Sequence, residues 1–415
     1  MSRRFNDVFS GQKTTVFETM SIMAAERPGG CCNLGQGFPD NELEGPEGMK
    51  QAATAAMLPP NSNQYPPMMG LPELRQAVAA HSGRHAGLPV DWQRETLVTV
   101  GATEALAAAF LALLNAGDEV IFFEPLYDSY VPMARRAGAV PRIVQLHPPS
   151  WSIDAAELEA AFSPRTRLLV LNTPHNPTGK VFNQQELELL AALCQHHDCL
   201  CLLDEVYEHL VFPGGAPHVS LRSLPGMADR CLRIGSAGKT FSFTAWKVGW
   251  LTGPADMVAA VAKAHQFITF TVPSAMQVSQ PGRGACQQRA VAHGLEHEQS
   301  FYSGLGPLLQ RKRQLLAGQL QQLGFSVLPA DGTYFLVADF GGLLPAGSTE
   351  DDVAFCQRLV RDAGVALIPA SAFYADKATA PRTLVRFVFC KTDEKLQAAV
   401  DALRSYLRPA ADGTD

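Results

Sequence analysis

The stretch RLLVLNTPHNPTGKVFNQQELELLAALCQHHDCLCLLDEVYEHL, residues 167–210, contains a complete strand–helix–strand unit. RLLVLN and CLCLLD are apolar runs without polar alternation, which is typical of strands that are covered on both faces. The segment NQQELELLAALCQHH between them is amphipathic at helical spacing, and Asn183 is its predicted N-cap. Two strands that are joined by a crossover helix predict a parallel sheet.

The same alternation extends on both sides, from about residue 96 to residue 270. Further short apolar strands are predicted at LVTV, EVIFF, CLRIGS and VGWLTG, and GATEALAAAFLALL predicts a helix. We therefore predict an α/β fold with a mostly parallel sheet. Because ligands of such sheets bind beyond the carboxyl ends of the strands, we expect functional residues where each apolar run stops.

The pattern changes after about residue 300, where a helix at Leu308–Leu323 and shorter strands predict a smaller α+β domain. The Gly- and Pro-rich start predicts an arm that crosses between the domains. The predicted divisions are residues 1–48 for the N-terminal arm and part of the small domain, 49–290 for the large domain, and 291–415 for the small C-terminal domain.

The composition excludes several classes of function. The chain has 415 residues and a net charge of -6 without a basic stripe, which argues against nucleic acid as a partner. The longest apolar run, Ala105–Leu114, is about half the ~20 residues of a membrane span, and a cytoplasmic location is predicted. The nine cysteines lack paired CxxC spacing, so we predict free thiols and no metal site.

Charged residues stand where two of these strands end. Lys239 follows CLRIG in SAGKTFSFTAWKVGW, although most lysines are solvated surface charges. Asp204 ends the strand CLCLLD, where a carboxylate is costly to bury unless it meets a cation. The protonated ring nitrogen of pyridoxal phosphate is such a cation. The alternative for Asp204 is a carboxylate that caps the next turn. Tyr207 could donate to the ring oxygen of the same cofactor.

Two more segments complete a cofactor site. Asn176 precedes Pro177 after RLLVLN, so its amide could also bond the ring oxygen, unless the pair forms a plain Asn-Pro turn. VGATEAL, residues 100–106, opens a helix directly after a strand, and its small residues let backbone N–H groups approach a phosphate. Ser236 and Lys247 could add a hydroxyl and a charge. Together these residues predict pyridoxal 5'-phosphate as the cofactor.

The motifs GATEAL, EPLYDSY, NTPHNPTGK, DEVYEHL and SAGKTFSFTAWKVGW, in this order, resemble the class I/II aminotransferases of PLP fold type I. NLGQGFPD at Asn33–Asp40 and the arginine of LVRFVFCK are similar to the subgroup of kynurenine and methionine aminotransferases, also called glutamine transaminase K. The resemblance extends from about Thr14 to Leu407. It implies a mostly parallel seven-stranded sheet in the large domain, a homodimer with shared active sites, and a transaminase.

The resemblance also implies roles in cofactor binding. Lys239 would carry the Schiff base and shuttle the proton, and Asp204 would pair with the pyridine nitrogen. Asn176 and Tyr207 would bond the ring oxygen, and Tyr127 would stack on the ring. The remaining contacts are to phosphate, by Ala102, Thr103, Ser236 and Lys247, and by Tyr65 across the dimer.

By the same resemblance, Arg386 would bind the substrate α-carboxylate beside Gly37; the alternative is a buried arginine that is paired to a core acid. Phe17 and Tyr65 would line the side-chain pocket with Phe270 of the partner subunit, unless Phe17 and Phe270 are simply core residues. An uncharged aromatic pocket predicts ping-pong transfer from a sulfur-containing, aromatic or glutamine-like L-amino acid, such as methionine or kynurenine, to a 2-oxo acid.

Two alternatives remain open at this point. One is a PLP-dependent carbon–sulfur β-lyase of the cysteine-conjugate type on the same fold. The other is a non-catalytic sensor of PLP fold, as in transcription regulators. Such sensors carry an additional DNA-binding domain, and we expect no room for one in this chain. The chain departs from the family pattern at VSQPGRGACQQRA, residues 278–290, where Pro281, Gly282 and Gly284 break a helix and predict an insertion.

Overall fold

The computed structural model describes residues 6–10, 14–40, 43–57, 64–272 and 286–407. The α-helices are α1 (Asp7–Ser10), α2 (Val16–Glu26), α3 (Glu47–Met57), α4 (Pro72–Ala86), α5 (Gly101–Leu113), α6 (Tyr130–Arg136), α7 (Ala155–Ala161), α8 (Gln184–His196), α9 (Ala237–Thr240), α10 (Ala255–Ile268), α11 (Cys286–His297), α12 (Gln299–Gln322), α13 (Asp352–Arg358) and α14 (Asp393–Leu407). The strands are β1 (Cys32–Asn33), β2 (Thr96–Thr99), β3 (Glu119–Glu124), β4 (Val140–His147), β5 (Ser152–Ile153), β6 (Thr166–Asn172), β7 (Leu200–Asp204), β8 (Cys231–Ser236), β9 (Gly249–Thr252), β10 (Ser326–Val327), β11 (Phe335–Asp339), β12 (Val365–Ala366), β13 (Ile368–Pro369) and β14 (Leu384–Val388).

The largest sheet has the strand order β2-β9-β8-β7-β6-β3-β4-β5. Neighbours from β8 to β4 pair in parallel, while β9 is antiparallel to both of its neighbours. The predicted α/β fold with a mostly parallel sheet is confirmed. The seven predicted strands are present, and the two-residue strand β5 extends the sheet beyond β4.

The stretch at residues 167–210 forms the predicted unit of β6, α8 and β7. Asn183 caps α8 through a capping box with Glu186, in which each side chain accepts from the other's backbone N–H. Leu202 and Leu203 on β7 are fully buried, as expected for a strand with helices over both faces. In register, Asn172 at the end of β6 lies opposite Asp204 at the end of β7. The two strands therefore deliver these side chains to the same edge.

A second sheet has the order β10-β11-β14-β13 and is antiparallel. The helix α12 before it begins at Gln299 rather than Leu308, because its first turns also pack buried residues, among them Tyr302 and Leu305. The predicted division of the chain at residues 48 and 290 stays a prediction.

The N-terminal segment contributes to a third, two-stranded sheet, in which β1 pairs in parallel with β12. Further along, Gly45 packs so closely on Phe241 that a Cβ would clash with the Phe241 carbonyl oxygen. Residues 278–285 of the predicted insertion lie outside the described residues. Its last residues, 286–290, belong to α11. Within the described ranges, no helix combines the length and apolar character needed to cross a bilayer.

Candidate active site

A cavity of ≈ 430 Å³ opens beyond the carboxyl ends of the central strands. Asn172, Asp204 and Ser236 are the last residues of β6, β7 and β8, and all three line it. Most of the predicted site residues also line this cavity: Phe17, Gly37, Ala102, Thr103, Tyr127, Asn176, Asp204, Tyr207, Ser236, Lys239, Lys247 and Arg386. Residues from distant parts of the sequence thus meet at the edge where parallel sheets bind ligands.

Asp204 has one satisfied carboxylate oxygen and one that lacks a partner. Oδ2 accepts a hydrogen bond of 2.5 Å from the hydroxyl of Tyr130, whereas Oδ1 is buried without a partner among the described residues. Burial raises the pKa of Asp204 to about 6, against the opposing effect of the Tyr130 hydrogen bond. An unpaired buried carboxylate oxygen is costly, so the site fits a cation such as a protonated pyridine nitrogen.

Lys239 lies at the centre of the cavity on the short helix α9. Its Nζ donates to the hydroxyl of Tyr334 at 2.8 Å, and this hydroxyl donates to the carbonyl oxygen of Gly37 at 2.9 Å. Burial lowers the pKa of Lys239 to about 8. A large part of the amine is therefore neutral in mildly alkaline solution, which is the form that can attack an aldehyde or accept a proton.

The start of α5 offers an anion site. Val100 at the N-cap makes no side-chain hydrogen bond to the helix, so the first N–H groups are free of a capping side chain. Gly101 has φ +72°, and a Cβ on it would lie 3.3 Å from Nζ of Lys247. A Cβ on Gly249 would lie 2.8 Å from the nitrogen of Ala102. Small residues thus keep backbone N–H groups and a lysine close together, which fits a phosphate.

Arg386 on β14 reaches the same cavity from the second sheet. Its Nη1 donates to Oδ1 of Asn176 at 2.9 Å, and its Nη2 donates to the carbonyl oxygen of Gly35 at 2.7 Å. The guanidinium carbon lies 4.3 Å from the ring centroid of Phe335. Burial lowers the pKa of Arg386 to about 10, so the group remains charged near neutral pH. Its Nε is buried without a partner among the described residues, and Arg386 does not pair to a core acid through a hydrogen bond.

The cavity wall beside Arg386 is aromatic. Phe17 on α2 packs edge-on against Phe373 at 5.2 Å between ring centroids. Phe38 and Phe335 also line the cavity. Phe17 is partly buried at the cavity rather than enclosed in the core. This wall offers apolar contact and no charge of its own.

Tyr65 and Phe270 lie outside this cavity. Their rings pack edge-on at 5.4 Å, and the two residues are 81% and 50% exposed. Neither residue lines the cavity of its own chain, and Phe270 is not a core residue of the single chain. The predicted contacts of Tyr65 and Phe270 across a dimer stay predictions.

Sequence reasoning missed two tyrosines of the site. Tyr130 lies in the quoted motif EPLYDSY, three residues after Tyr127. It is the first residue of α6, and its hydroxyl donates to Asp204. Tyr334 precedes β11 and meets Lys239 only through the approach of the second sheet. The sequence around Tyr334 offers no local signal for this contact.

The fold and the site together define a pyridoxal-phosphate-dependent enzyme of fold type I. A half-buried lysine, a half-satisfied carboxylate and a helix start lined by small residues meet at the strand ends of one mixed sheet. The model of the aminotransferase class I and II family matches residues 30–403. The chain belongs to this family, and it is a transaminase that uses pyridoxal phosphate.

Several relatives are similar over nearly their whole length. A probable N-succinyldiaminopimelate aminotransferase of Mycobacterium tuberculosis is 43% identical and covers 94% of this chain and 95% of the relative. The methionine aminotransferase of Escherichia coli is 39% identical, with 94% and 95% covered. The kynurenine–oxoglutarate transaminase 1 of Rattus norvegicus is also 39% identical, with 90% and 92% covered.

The solved structures agree with these relatives. The N-succinyldiaminopimelate aminotransferase structure from Mycobacterium tuberculosis gives a TM-score of 0.87 at 42% identity and covers 97% of this chain and 100% of its own. The methionine aminotransferase structure from Escherichia coli gives 0.86 at 37% identity with the same coverage. These likenesses confirm the predicted family, its kynurenine and methionine aminotransferase subgroup, the fold type and the cofactor.

Proposed function

We propose that this transaminase takes its amino group from an uncharged sulfur-containing, aromatic or glutamine-like L-amino acid, such as methionine or kynurenine, and transfers it to a 2-oxo acid. The observation that carries the proposal is the distribution of charge in the cavity. Among the described residues that line it, the cations are Lys239, Lys247 and Arg386. Each has a place in cofactor binding or α-carboxylate binding, which leaves no cation for a second acidic group.

The apolar wall supports the same donor class. Phe17, Phe38 and Phe335 line the cavity around Arg386. Apolar or sulfur-containing side chains gain from such contacts, whereas an unpaired carboxylate would be desolvated at a cost. The names of the methionine and kynurenine aminotransferases at 39% identity support this choice. The N-succinyldiaminopimelate enzyme at 43% identity supplies the competing substrate for the test.

We infer the following cofactor contacts from the geometry. Oδ1 of Asp204 would accept from the protonated ring nitrogen, and the side chains of Asn176 and Tyr207 would bond the ring oxygen. Tyr127 would pack on the ring. The backbone N–H groups of Ala102 and Thr103, together with Ser236 and Lys247, would hold the phosphate. When bound, pyridoxal phosphate supplies an electron sink for charge at the substrate α-carbon.

Lys239 moves the proton in this proposal. Its Nζ is the group that would hold the cofactor aldehyde, and as a free amine it would take the proton from the substrate α-carbon. The pKa of about 8 suits this task because the amine can lose and regain its proton near the working pH of an enzyme. The hydroxyl of Tyr334, at 2.8 Å, holds Nζ in position.

Arg386 orients the substrate. The two terminal nitrogens of the guanidinium can bind a carboxylate as a bidentate pair, which fixes the direction of the α-carbon. Asn176 and Gly35 now accept from these nitrogens and hold the fork in the cavity. Gly37 also lines the cavity, and we place it beside the same carboxylate. Its carbonyl oxygen accepts from the hydroxyl of Tyr334, which in turn accepts from Lys239.

A homodimer belongs to the proposal. Tyr65 and Phe270 form an exposed aromatic pair, and exposed aromatic patches are common at protein interfaces. In the dimer, the hydroxyl of Tyr65 would reach the phosphate that the partner subunit holds. Phe270 would then extend the side-chain pocket of the other active site.

A donor panel tests the proposal. The purified enzyme is assayed with methionine, kynurenine and glutamine against aspartate and N-succinyl-L,L-diaminopimelate, each with several 2-oxo acids. We expect kcat/KM to be at least about tenfold higher for the uncharged donors, a difference of about 1.4 kcal/mol in transition-state binding. Higher activity with aspartate or N-succinyl-L,L-diaminopimelate contradicts the proposed donor class.

A second measurement separates transamination from carbon–sulfur cleavage. Turnover that requires a 2-oxo acid supports transamination, whereas release of pyruvate and ammonia from a cysteine conjugate without a 2-oxo acid indicates the β-lyase. Replacement Lys239→Ala should abolish the absorbance band of lysine-bound pyridoxal phosphate. Lys180→Ala is the matched control, since Lys180 is a buried lysine that pairs with Glu186 at 2.7 Å.

A further inference from the structure

Three histidines form a separate cluster outside the cavity. His81 and His85 lie on α4, and His209 follows β7. One ring nitrogen from each can be chosen so that the three atoms lie within 4.8 Å of one another, and Nε2 of His81 is 2.9 Å from Nε2 of His209. His81 and His85 are four residues apart and therefore share one face of α4. Such a pair on a helix can bind the same ion.

The cluster is open to solvent on one side. A second cavity of ≈ 380 Å³ is lined by His85, His209, Glu208 and His218. His85 is exposed, whereas His81 is buried behind it. Nδ1 of the half-buried His218 is a buried atom without a hydrogen-bond partner among the described residues. An ion can therefore enter from solvent past His85 and meet imidazole nitrogens at the inner end.

The charge around the cluster favours a cation. Neutral imidazole is the form that binds a metal ion, and each of His81, His85 and His209 offers a ring nitrogen to the cluster. The carboxylate of Glu208 lies 4.0 Å from Nε2 of His209, and it is paired on its other side with Arg233 at 2.9 Å. Uncharged ligands beside a carboxylate can accept a divalent ion without placing like charges together.

We propose that His81, His85 and His209 form a binding site for a divalent first-row transition-metal ion such as Zn²⁺. Imidazole is a preferred ligand of Zn²⁺, Cu²⁺ and Ni²⁺. With Zn–N bonds of about 2.0–2.1 Å, tetrahedral ligand atoms stand roughly 3.4 Å apart. The three ring nitrogens lie within 4.8 Å of one another, close to this spacing, and the fourth position is left for water, as in other three-histidine sites.

The proposed site would tie α4 to the segment after β7. His209 comes two residues after Tyr207 and five after Asp204, which line the active-site cavity. His85 also contacts Tyr302 of α12, with 3.1 Å between Nε2 and the hydroxyl. A bound ion would thus join α4 to the segment after β7, next to Tyr302 of α12.

Calorimetric titration with ZnCl₂ tests the proposal on the full chain, loaded with pyridoxal phosphate and treated beforehand with a chelator. We expect one Zn²⁺ per chain, and His85→Ala should weaken this binding by about tenfold or more. His85 is chosen because it is exposed, so its replacement spares the core. His209→Gln should have the same effect.

The chain contains a matched control. His293 and His297 form a second pair at the same spacing on α11, with ring centroids 4.7 Å apart, and both are at least partly exposed. His293→Ala should leave the affinity unchanged because this pair has no third histidine in the structure's described part. Absence of stoichiometric binding overturns the proposal. So does binding that survives both His85→Ala and His209→Gln, or that depends on His293.

The ligand type is checked with Co²⁺ in place of Zn²⁺. Three imidazoles and a water should give the visible absorption of a four-coordinate ion, and His85→Ala should remove it. Intense sulfur-to-metal charge-transfer bands would reveal cysteine ligands and refute the histidine site.

Discussion

The hydroxyl of Tyr130 and the carboxylate of Asp204 are joined by a hydrogen bond of 2.5 Å to Oδ2, while Oδ1 of the same carboxylate stays unbonded within the described structure. The pKa of Tyr130 is raised by burial and by Asp204, which keeps the hydroxyl protonated as a donor. Phe122 stacks nearly parallel to the Tyr130 ring at 6.0 Å and fixes it from behind. Tyr130 thus sets the rotation of the carboxylate and leaves Oδ1 free for the cofactor contact that we propose.

Replacement Tyr130→Phe keeps the ring and removes the donor. A hydrogen bond to a charged group contributes about 1.5–3 kcal/mol, so kcat/KM should fall by about 10- to 100-fold. Because this bond lowers the pKa of Asp204, its loss raises that pKa further above the ordinary range. The carboxylate then protonates at higher pH as the solution is acidified, and cofactor affinity should decline at a higher pH than in the wild type.

The measurement is the pH dependence of pyridoxal phosphate binding and of kcat/KM. Tyr302→Phe serves as the control, because it removes a hydroxyl contact to His85 at 3.1 Å outside the active-site cavity. An unchanged pH profile in Tyr130→Phe contradicts the positioning role of Tyr130.

Replacement Gly101→Ala should weaken cofactor binding. The residue has φ +72°, and the added Cβ would lie 3.3 Å from the side chain of Lys247. Left-handed backbone costs a residue with a side chain roughly 1–2 kcal/mol, and displacement of Lys247 adds a loss of phosphate affinity. We expect the dissociation constant of pyridoxal phosphate to rise by about tenfold.

Gly87→Ala provides the comparison for Gly101. Gly87 has φ +63° at the end of α4, and its Cβ would meet nothing within 4 Å. It shares the backbone strain and lacks the contact with Lys247. Cofactor affinity of both variants is measured by equilibrium titration. If both lose it equally, backbone strain rather than the phosphate site causes the effect.

Replacement Lys239→Met should stabilise the cofactor-free protein in a pH-dependent way. The pKa of Lys239 is lowered from 10.5 to about 8 in the folded state, so the unfolded chain binds more protons between these values. Wild-type stability contributed by this group therefore rises with pH across that window. The full penalty of the buried charge applies below pH 8 and disappears above about 10.5.

Denaturant unfolding of both cofactor-free proteins measures this difference. Lys239→Met should exceed the wild type in free energy of unfolding near neutral pH, and the two values should converge as the pH approaches 10.5. A difference that stays constant across the window would mean that hydrophobic packing, rather than charge burial, separates the two proteins.

Replacement Arg386→Lys should raise KM for the amino acid by about 10- to 100-fold, because a point charge replaces a bidentate fork and about 1.5–3 kcal/mol of charged hydrogen bonding is lost. The cofactor absorbance band should persist, since the pyridoxal contacts come from other residues. Steady-state kinetics measures the change. Arg382→Lys, at an exposed arginine just before β14, is the control and should leave KM unaltered.

The strand-end residues were predictable from the sequence. Asp204 and Asn176 follow apolar runs, and parallel pairing of β6 and β7 brings the two strand ends to one edge. Lys239 follows β8, the next strand in the sheet. The local pattern determines both the strands and their ends, so the main part of the site follows from the order of elements.

Residues that reach the site from outside the sheet were harder to predict. Tyr334 is separated by 95 positions from Lys239, and the contact depends on how the second sheet approaches the first. The start of α12 at Gln299 was missed for a related reason, because buried contacts of Tyr302 extend a helix beyond its local pattern. Long-range packing of this kind leaves no periodic trace in the sequence.

Phe17 stands on α2, outside every sheet, whereas the strand-end residues belong to the core of the fold. A mutation at Phe17 changes one wall of the cavity and leaves Asp204 and Lys239 in place. Natural selection can therefore alter the preferred donor while the chemistry of the enzyme is inherited intact. If Phe17 contacts the donor side chain as we propose, this separation is consistent with relatives of 39–43% identity that carry the names of three different amino donors.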